Sequence, residues 1–355
     1  MSLIIIGELK AVTTEENTNN ISSQITFQPG SLEQLTVPNE WPFDKKSKFM
    51  ARHKQLSIGD NGVTQHTKSD CVFYLSNWKK NSEEHRQKRG GDGCIQKLGW
   101  WYYNTGGDTA PIRDVILSWT MNNKPTFDIY EDDFNPDRYD AIALISLFSA
   151  FYAVYYDEFE LTSNERAAVD EFVLREMLDI PIDIIGSPKT KIFCNPNKHE
   201  LIGKRGSPRS DINTCGSNRW KVTISQLLVS LRFSNQELFE KGVYNTRFKL
   251  ALFDEEGIYV TWATRGALAW EYSHDVTTML SLLTEIYNSV GYNFLQHELD
   301  NGLFVHELFE KQFKIVDDVS ILEKYAARQY AVKGTNYEAW KKLSNEEKVK
   351  NWPKS

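Results

Sequence analysis

The sequence has no C-x-x-C pair among its four cysteines, Cys71, Cys94, Cys194 and Cys215, and no histidines and cysteines at ligand spacing. A zinc site is therefore not expected. Positive charge is not in excess either. Net charge is −7, with 41 Lys and Arg against 48 Asp and Glu, which argues against a protein that grips nucleic acid by neutralising phosphates. Long apolar runs are missing at the start, where Leu3-Ile-Ile-Ile6 has no cationic flank. Such a run is too short for a signal peptide or a membrane span, so no membrane partner is expected. Strand-like alternation is scarce after residue 130, and no fixed repeat period recurs.

The chain of 355 residues is long enough for a large core, in one domain or two. Residues 1–40, rich in Thr, Asn, Ser and Gln with one β-like stretch at Gln24-Ile-Thr-Phe-Gln28, read as an extended arm laid on a body formed by residues 41–355. Phe43 to Leu56 is helix-compatible. Residues 57–98 are polar and read as a long, lid-like loop with a short helix. Tyr74 and neighbouring cations there would suit a flap over an anionic chain, although an ordinary exposed loop has the same composition. Gly99-Trp-Trp-Tyr-Tyr-Asn104 follows, and Trp100 is a candidate floor for a sugar groove. Cys71 with Cys94 and Cys194 with Cys215 could each close a loop of about twenty residues in an oxidising compartment, or all four could remain thiols.

From Tyr139 the pattern becomes helical. Ile142, Leu144, Ile145, Leu147, Phe148, Phe151, Val154 and Tyr155 recur at short spacings, and Ser163-Asn-Glu-Arg166 offers a cap for the next helix. Phe172 to Leu178, Trp220 to Phe233, Asn235 to Leu252, Ala267 to Val290 and Val319 to Tyr330 continue the series, each broken by Gly, Asn or Pro. Successive helix hairpins with one apolar face bury it best in two layers or rings. The expected fold is therefore all-α, an incomplete α/α toroid with an N-terminal extended arm and long lid-like loops. A two-layer α-solenoid is the alternative. The loop from Gly186 to Ser217 carries a local basic excess that includes Arg205, with His199 among the cations.

Arg265 and Tyr272 stand seven residues apart where a Gly-turn at Gly257 hands over to the Ala267–Val290 helix. Two helical turns separate them, so a guanidinium and a phenol project from one face. Free Tyr titrates near about 10, and a cation lowers that value by favouring phenolate, a base suited to a weakly acidic C–H proton beside a carboxylate. The same spacing also describes a plain helix start with an aromatic in the core. Trp220 and Trp270 read as core residues, whereas Trp262 and Trp100 could be either core or sugar platforms. Asn218 reads as a helix N-cap before Trp220 or as a donor to a carboxylate, with Arg219 as an alternative clamp.

The stretch from Asn218 to Asn293 resembles the alginate lyases of the α/α-toroid polysaccharide lyases, in particular the mannuronate-cleaving type with the motif Gly-Tyr-(x)6-Arg-(x)6-Tyr-His. The same registers hold Gly257, Ile258, Arg265, Tyr272 and Ser273, with His274 one position later. That family carries Asn-Asn-His-x-x-Trp 39 residues before the glycine, and counting back lands on Asn218 within Gly216-Ser-Asn-Arg-Trp220. A Leu-Phe pair between the motifs falls on Leu238-Phe239. The family's histidine is absent, since Asn218 holds its register. The resemblance implies β-elimination on a 4-linked uronan, with Tyr272, Arg265 and Asn218 catalytic and Arg219, His274, His199, Arg205, Trp100, Tyr74 and Trp262 toward the anionic polysaccharide. Such an elimination requires no metal or organic cofactor. The resemblance also implies a periplasmic or extracellular setting.

Two other functions fit the residues. A glycoside hydrolase on the same toroid would take two carboxylates from Glu131, Asp132, Asp133 or Glu271. A non-catalytic carbohydrate-binding or virion-associated protein would explain the missing histidine.

Overall fold

Between Val222 and Leu231 every residue is buried, which a helix achieves only when neighbours pack around its whole circumference. That helix, Ser217–Phe233, is the hub of a computed structural model that describes residues 31–43, 68–77, 94, 98, 108–124, 136–180, 217–259, 269–318, 342, 344 and 347. In chain order the α-helices among the described residues are α1 (Lys68–Ser76), α2 (Ala110–Ser118), α3 (Pro136–Val154), α4 (Ser163–Asp179), α5 (Ser217–Phe233), α6 (Gln236–Leu250), α7 (Ala269–Ser289) and α8 (Val305–Asp317). Around α5 lie α3, α6, α4 and α7, while α1 pairs with α2 and α7 with α8. Pairing of extended backbone among the described residues is confined to isolated bridges, Phe253 with Tyr259 and Glu298 with Phe304. The architecture is all-α, as the hydrophobic periodicity implies.

Local chemistry explains where the helices begin. At α4 the Thr162 hydroxyl accepts from the Glu165 N–H at 3.3 Å, and the Glu165 carboxylate receives the Thr162 N–H at 2.8 Å. This reciprocal box satisfies two orphan donors and sets the cap one residue ahead of the expected Ser163. At α6 the Asn235 side chain accepts from Leu238 N–H at 2.8 Å. Only Ser234 and Asn235 link α5 to α6, so the two run antiparallel. Their approach is close because Gly242 faces Leu227, where a Cβ would sit 2.7 Å from Leu227 Cγ.

The hairpin interface is polar as well as apolar. Thr223, Gln226 and Ser230 of α5 and Asn245, Thr246 and Lys249 of α6 are all buried. Asn245 Nδ2 donates to Gln226 Oε1 at 2.7 Å, and Gln226 Nε2 donates to the Met177 carbonyl at 3.2 Å. Buried polar groups are tolerated only when paired in this way.

Residues 33–37 lie along α6, and Trp41 lies under the Arg232 guanidinium at the end of α5. Leu32 and Leu35 enter the core, Val37 N–H donates to Gln236 Oε1 at 2.9 Å, Gln236 Nε2 donates to the Leu35 carbonyl at 3.2 Å, and Glu33 pairs with Arg247.

Two helices run where the sequence predicted none. α2 packs Ile112, Val115 and Ile116 into the core, and α8 buries Val305, Leu308, Gln312 and Ile315 on one face. Spacings of three, four and three between those α8 residues are the helical signature. The polar Gln312 inside the stripe obscures it. Gln312 is buried because its Nε2 donates to the Gly257 carbonyl at 2.9 Å. The helix expected over Val319 to Tyr330, the helix-compatible run of Phe43 to Leu56 beyond residue 43, and the β-like Gln24–Gln28 lie outside the described residues.

Cys71 of α1 is bonded to Cys94, 23 residues on, which decides between the two alternatives for that pair. Cys194 and Cys215 lie outside the described residues. Closing a loop of this size is worth about 3 kcal/mol by chain entropy. The Cys71→Ser, Cys94→Ser double variant is expected to lose about that much unfolding free energy in a urea titration. A midpoint equal to the parent's would show that the bond adds nothing.

Candidate active site

Four of the candidate residues lie on two packed helices. Asn218 and Arg219 are the second and third residues of α5, and Tyr272 and His274 belong to the first turns of α7. α5 and α7 pack against each other. Because α5 already begins at Ser217, Asn218 lies inside the first turn and is not the helix N-cap. Tyr74 is carried by α1, and Glu271 by α7. Arg265, Trp262, His199, Arg205, Trp100 and the Glu131-Asp132-Asp133 cluster lie outside the described residues.

The start of α5 meets the end of α6 and the turn that follows it. Trp220 is fully buried, as its reading as a core residue requires. Its ring lies 5.8 Å from that of Tyr259, and Tyr259 packs against Phe253 at 5.0 Å. The intervening turn is tightly built. Asp254 Oδ1 accepts from Glu256 N–H at 3.0 Å and Ile258 N–H at 2.9 Å, and Asn301 Nδ2 donates to the Asp254 carbonyl at 2.9 Å. Gly257 has φ of +76°, a left-handed conformation in which a side chain would be strained, and a Cβ would also come within 2.9 Å of Lys311 Cγ. The family glycine register is therefore occupied by a glycine that the turn demands. The chain leaves this turn at Tyr259, beside the α5 start, six residues before Arg265.

Lys249 is the functional candidate that sequence reasoning missed. It is fully buried, its Nζ lies 3.3 Å from Tyr259 Oη, and it stands 5.6 Å over the Trp220 ring and 6.0 Å over the Tyr259 ring. The available signal was positional. Leu238, Gly242, Asn245 and Lys249 form one helical stripe, and a cation follows at its end within the apolar run Phe248-Lys-Leu-Ala-Leu-Phe253.

Other chemically eventful groups lie elsewhere. Tyr152 and Tyr156 donate to Asp170 at 2.6 and 2.9 Å, and both phenols titrate above the ordinary range, through burial first and the Asp170 carboxylate second. Burial also raises Tyr287, whose hydroxyl donates to Thr246 Oγ1 at 2.7 Å. These phenols are held neutral as donors, the opposite of what a base requires. An open hollow beside Arg232 is walled by Trp41, Phe43, Asp157 and Glu158. Arg232 belongs to the last turn of α5, about 21 Å along the axis from Asn218, so the hollow is separate from the candidate site. Among the described residues no group of His, Cys, Asp and Glu is arranged to hold a metal ion, and no helix is long and apolar enough to cross a membrane.

No protein-family model and no curated protein matches the sequence. Solved structures do. A histidine-to-alanine variant of alginate lyase A1-III complexed with a tetrasaccharide aligns with a TM-score of 0.50 at 13% identity, covering 84% of this chain and 83% of that one. A tyrosine-to-phenylalanine variant of the same enzyme, also complexed with a tetrasaccharide, gives 0.48 at 12% identity over 83% of each chain. Alginate lyase A1-III from Sphingomonas species A1 gives 0.43 at 14% identity, over 89% of this chain and 74% of that one. The first alignment carries the fold assignment: this chain has an alginate-lyase-like, all-α toroid fold.

Proposed function

We propose that the protein is a polysaccharide lyase that cleaves a 4-linked uronan, of the alginate (polymannuronate) or glucuronan kind, by β-elimination. The observation that carries this reading is a coincidence of two independent signals. The fold is alginate-lyase-like, and the Asn218 and Tyr272 registers of the lyase motif fall on the first turns of two packed helices, with the Gly257 register on the turn after α6 and Arg265 between Gly257 and Tyr272 in sequence. The similar structure holds a tetrasaccharide, which fits an oligosaccharide-binding groove. The Cys71–Cys94 bond suits an oxidising, periplasmic or extracellular setting.

The chemistry follows from the residues. The obstacle in β-elimination is the carbanion that develops at C5 beside the uronate carboxylate. Arg265 pairs with that carboxylate and Asn218 donates to it, so charge moves into an enolate-like form that fixed donors stabilise. Tyr272, as phenolate, breaks the C5–H bond and takes the proton. The electron pair forms the C4–C5 double bond as the C4–O bond breaks, and the departing oxygen takes a proton from the Tyr272 hydroxyl. One residue serves both steps only when proton and leaving group share a face of the ring, as in mannuronate. Arg219, His274, His199, Arg205, Trp100, Tyr74 and Trp262 are assigned to the rest of the acidic chain.

The test is an ultraviolet absorbance trace on polymannuronate and polyglucuronate. Elimination leaves a conjugated double bond that absorbs, whereas hydrolysis leaves none. A rising trace on polymannuronate is expected. Reducing ends released without absorbance would replace the lyase with a hydrolase, and retention of polymer without either product would leave a carbohydrate-binding protein.

A further inference from the structure

We infer that Lys249 is a positioning residue of this site, tying the chain segment that bears Asn218 and Arg219 to the one that leads to Arg265 and Tyr272. The inference rests on the lyase reading above. A fully buried lysine is uncommon and costly to desolvate. An apolar residue of the same length would fill the end of the α6 stripe at no such cost. Part of the cost is met by place, because Lys249 occupies the last turn of α6, where the negative end of the helix dipole favours a cation.

Its contacts reach both segments at once. The ammonium faces the ring of Trp220 at 5.6 Å, two residues after Asn218 and next to Arg219. It also lies 3.3 Å from the hydroxyl of Tyr259, six residues before Arg265. Trp220 is buried, and among the described residues its indole N–H meets no acceptor. Its ring is contacted by the Lys249 cation and by the Tyr259 ring, tilted at 46°. One charge thus sets the spacing between a ring on the α5 first turn and a ring on the turn before α7. Small misplacements of reacting groups lower the rate of the chemical step far more than the affinity for a long polymer held at many points. Lys249 therefore acts through Trp220 and Tyr259 and need not touch substrate.

The experiment compares the parent with Lys249→Met, Lys249→Arg and Tyr259→Phe, each in the full chain, by melting temperature and by kcat and KM on polymannuronate with the ultraviolet readout. Methionine keeps an unbranched, flexible chain one atom shorter and removes the charge. The expected result is a kcat lowered about tenfold to a hundredfold with KM and melting near parental, partly restored by arginine, which keeps the cation and stacks on aromatic faces. Tyr259→Phe, which keeps the ring and removes the partner oxygen, is expected to lower kcat with KM unchanged. Parental kcat in Lys249→Met overturns the inference, as does a kcat loss matched by a fall in melting temperature that arginine does not mend. If Lys249→Met fails to fold, parental kcat in Tyr259→Phe overturns it equally. A parent chain that gives no ultraviolet product on any uronan removes the lyase reading and this inference together, an outcome distinct from an active parent with an equally active Lys249→Met.

Discussion

Tyr272→Phe is expected to lose turnover by about a thousandfold or more while binding polymer and melting as the parent does. The substitution removes one oxygen and keeps the ring of a residue in the first turn of α7, the smallest change that deletes the proposed base. General acid–base catalysis by a placed side chain is worth about a hundredfold to ten-thousandfold. Here the same oxygen is asked to take the C5 proton and to protonate the departing C4 oxygen, so no partial pathway survives its loss. The measurement is initial rate by ultraviolet absorbance on polymannuronate at saturating substrate, beside a binding assay on the same polymer. Cleavage at the parental rate would show that the base is another group.

Replacing Arg265 with Ala should cost at least about two orders of magnitude in kcat, because removal of one preorganised donor from a developing oxyanion costs that much. The loss should fall mainly on kcat, since charge on the carboxylate grows as the C5 proton departs and the guanidinium pairs more strongly with the transition state than with the ground state. Lysine in its place should restore only part of the rate: it returns the charge but not the planar, two-pronged geometry that matches a carboxylate. An Arg265→Ala protein with normal activity would move carboxylate neutralisation elsewhere, with Arg219 the first residue to vary next.

Much of the frame is legible in the sequence because helix periodicity is a local signal. α5, α6 and α7 begin and end within three residues of where the apolar pattern places them, and Trp220 is buried as its reading as a core residue requires. The exceptions have identifiable causes. α8 hides its stripe behind Gln312, whose burial depends on a carbonyl of the distant Gly257 turn. The cap of α4 falls on Thr162, since Thr162 and Glu165 complete a reciprocal pair that Ser163 would not. Asn218 resembles an N-cap by type, yet α5 already starts at Ser217.

The sequence by itself determined the all-α class and the main helices, because each of these is written in spacings of three and four residues. Only the tertiary structure decided that Cys71 bonds Cys94, that residues 33–37 lie along α6, and that Lys249 is sealed between Trp220 and Tyr259. Each of those facts joins residues whose meeting depends on how whole helices dock, and no local spacing encodes that.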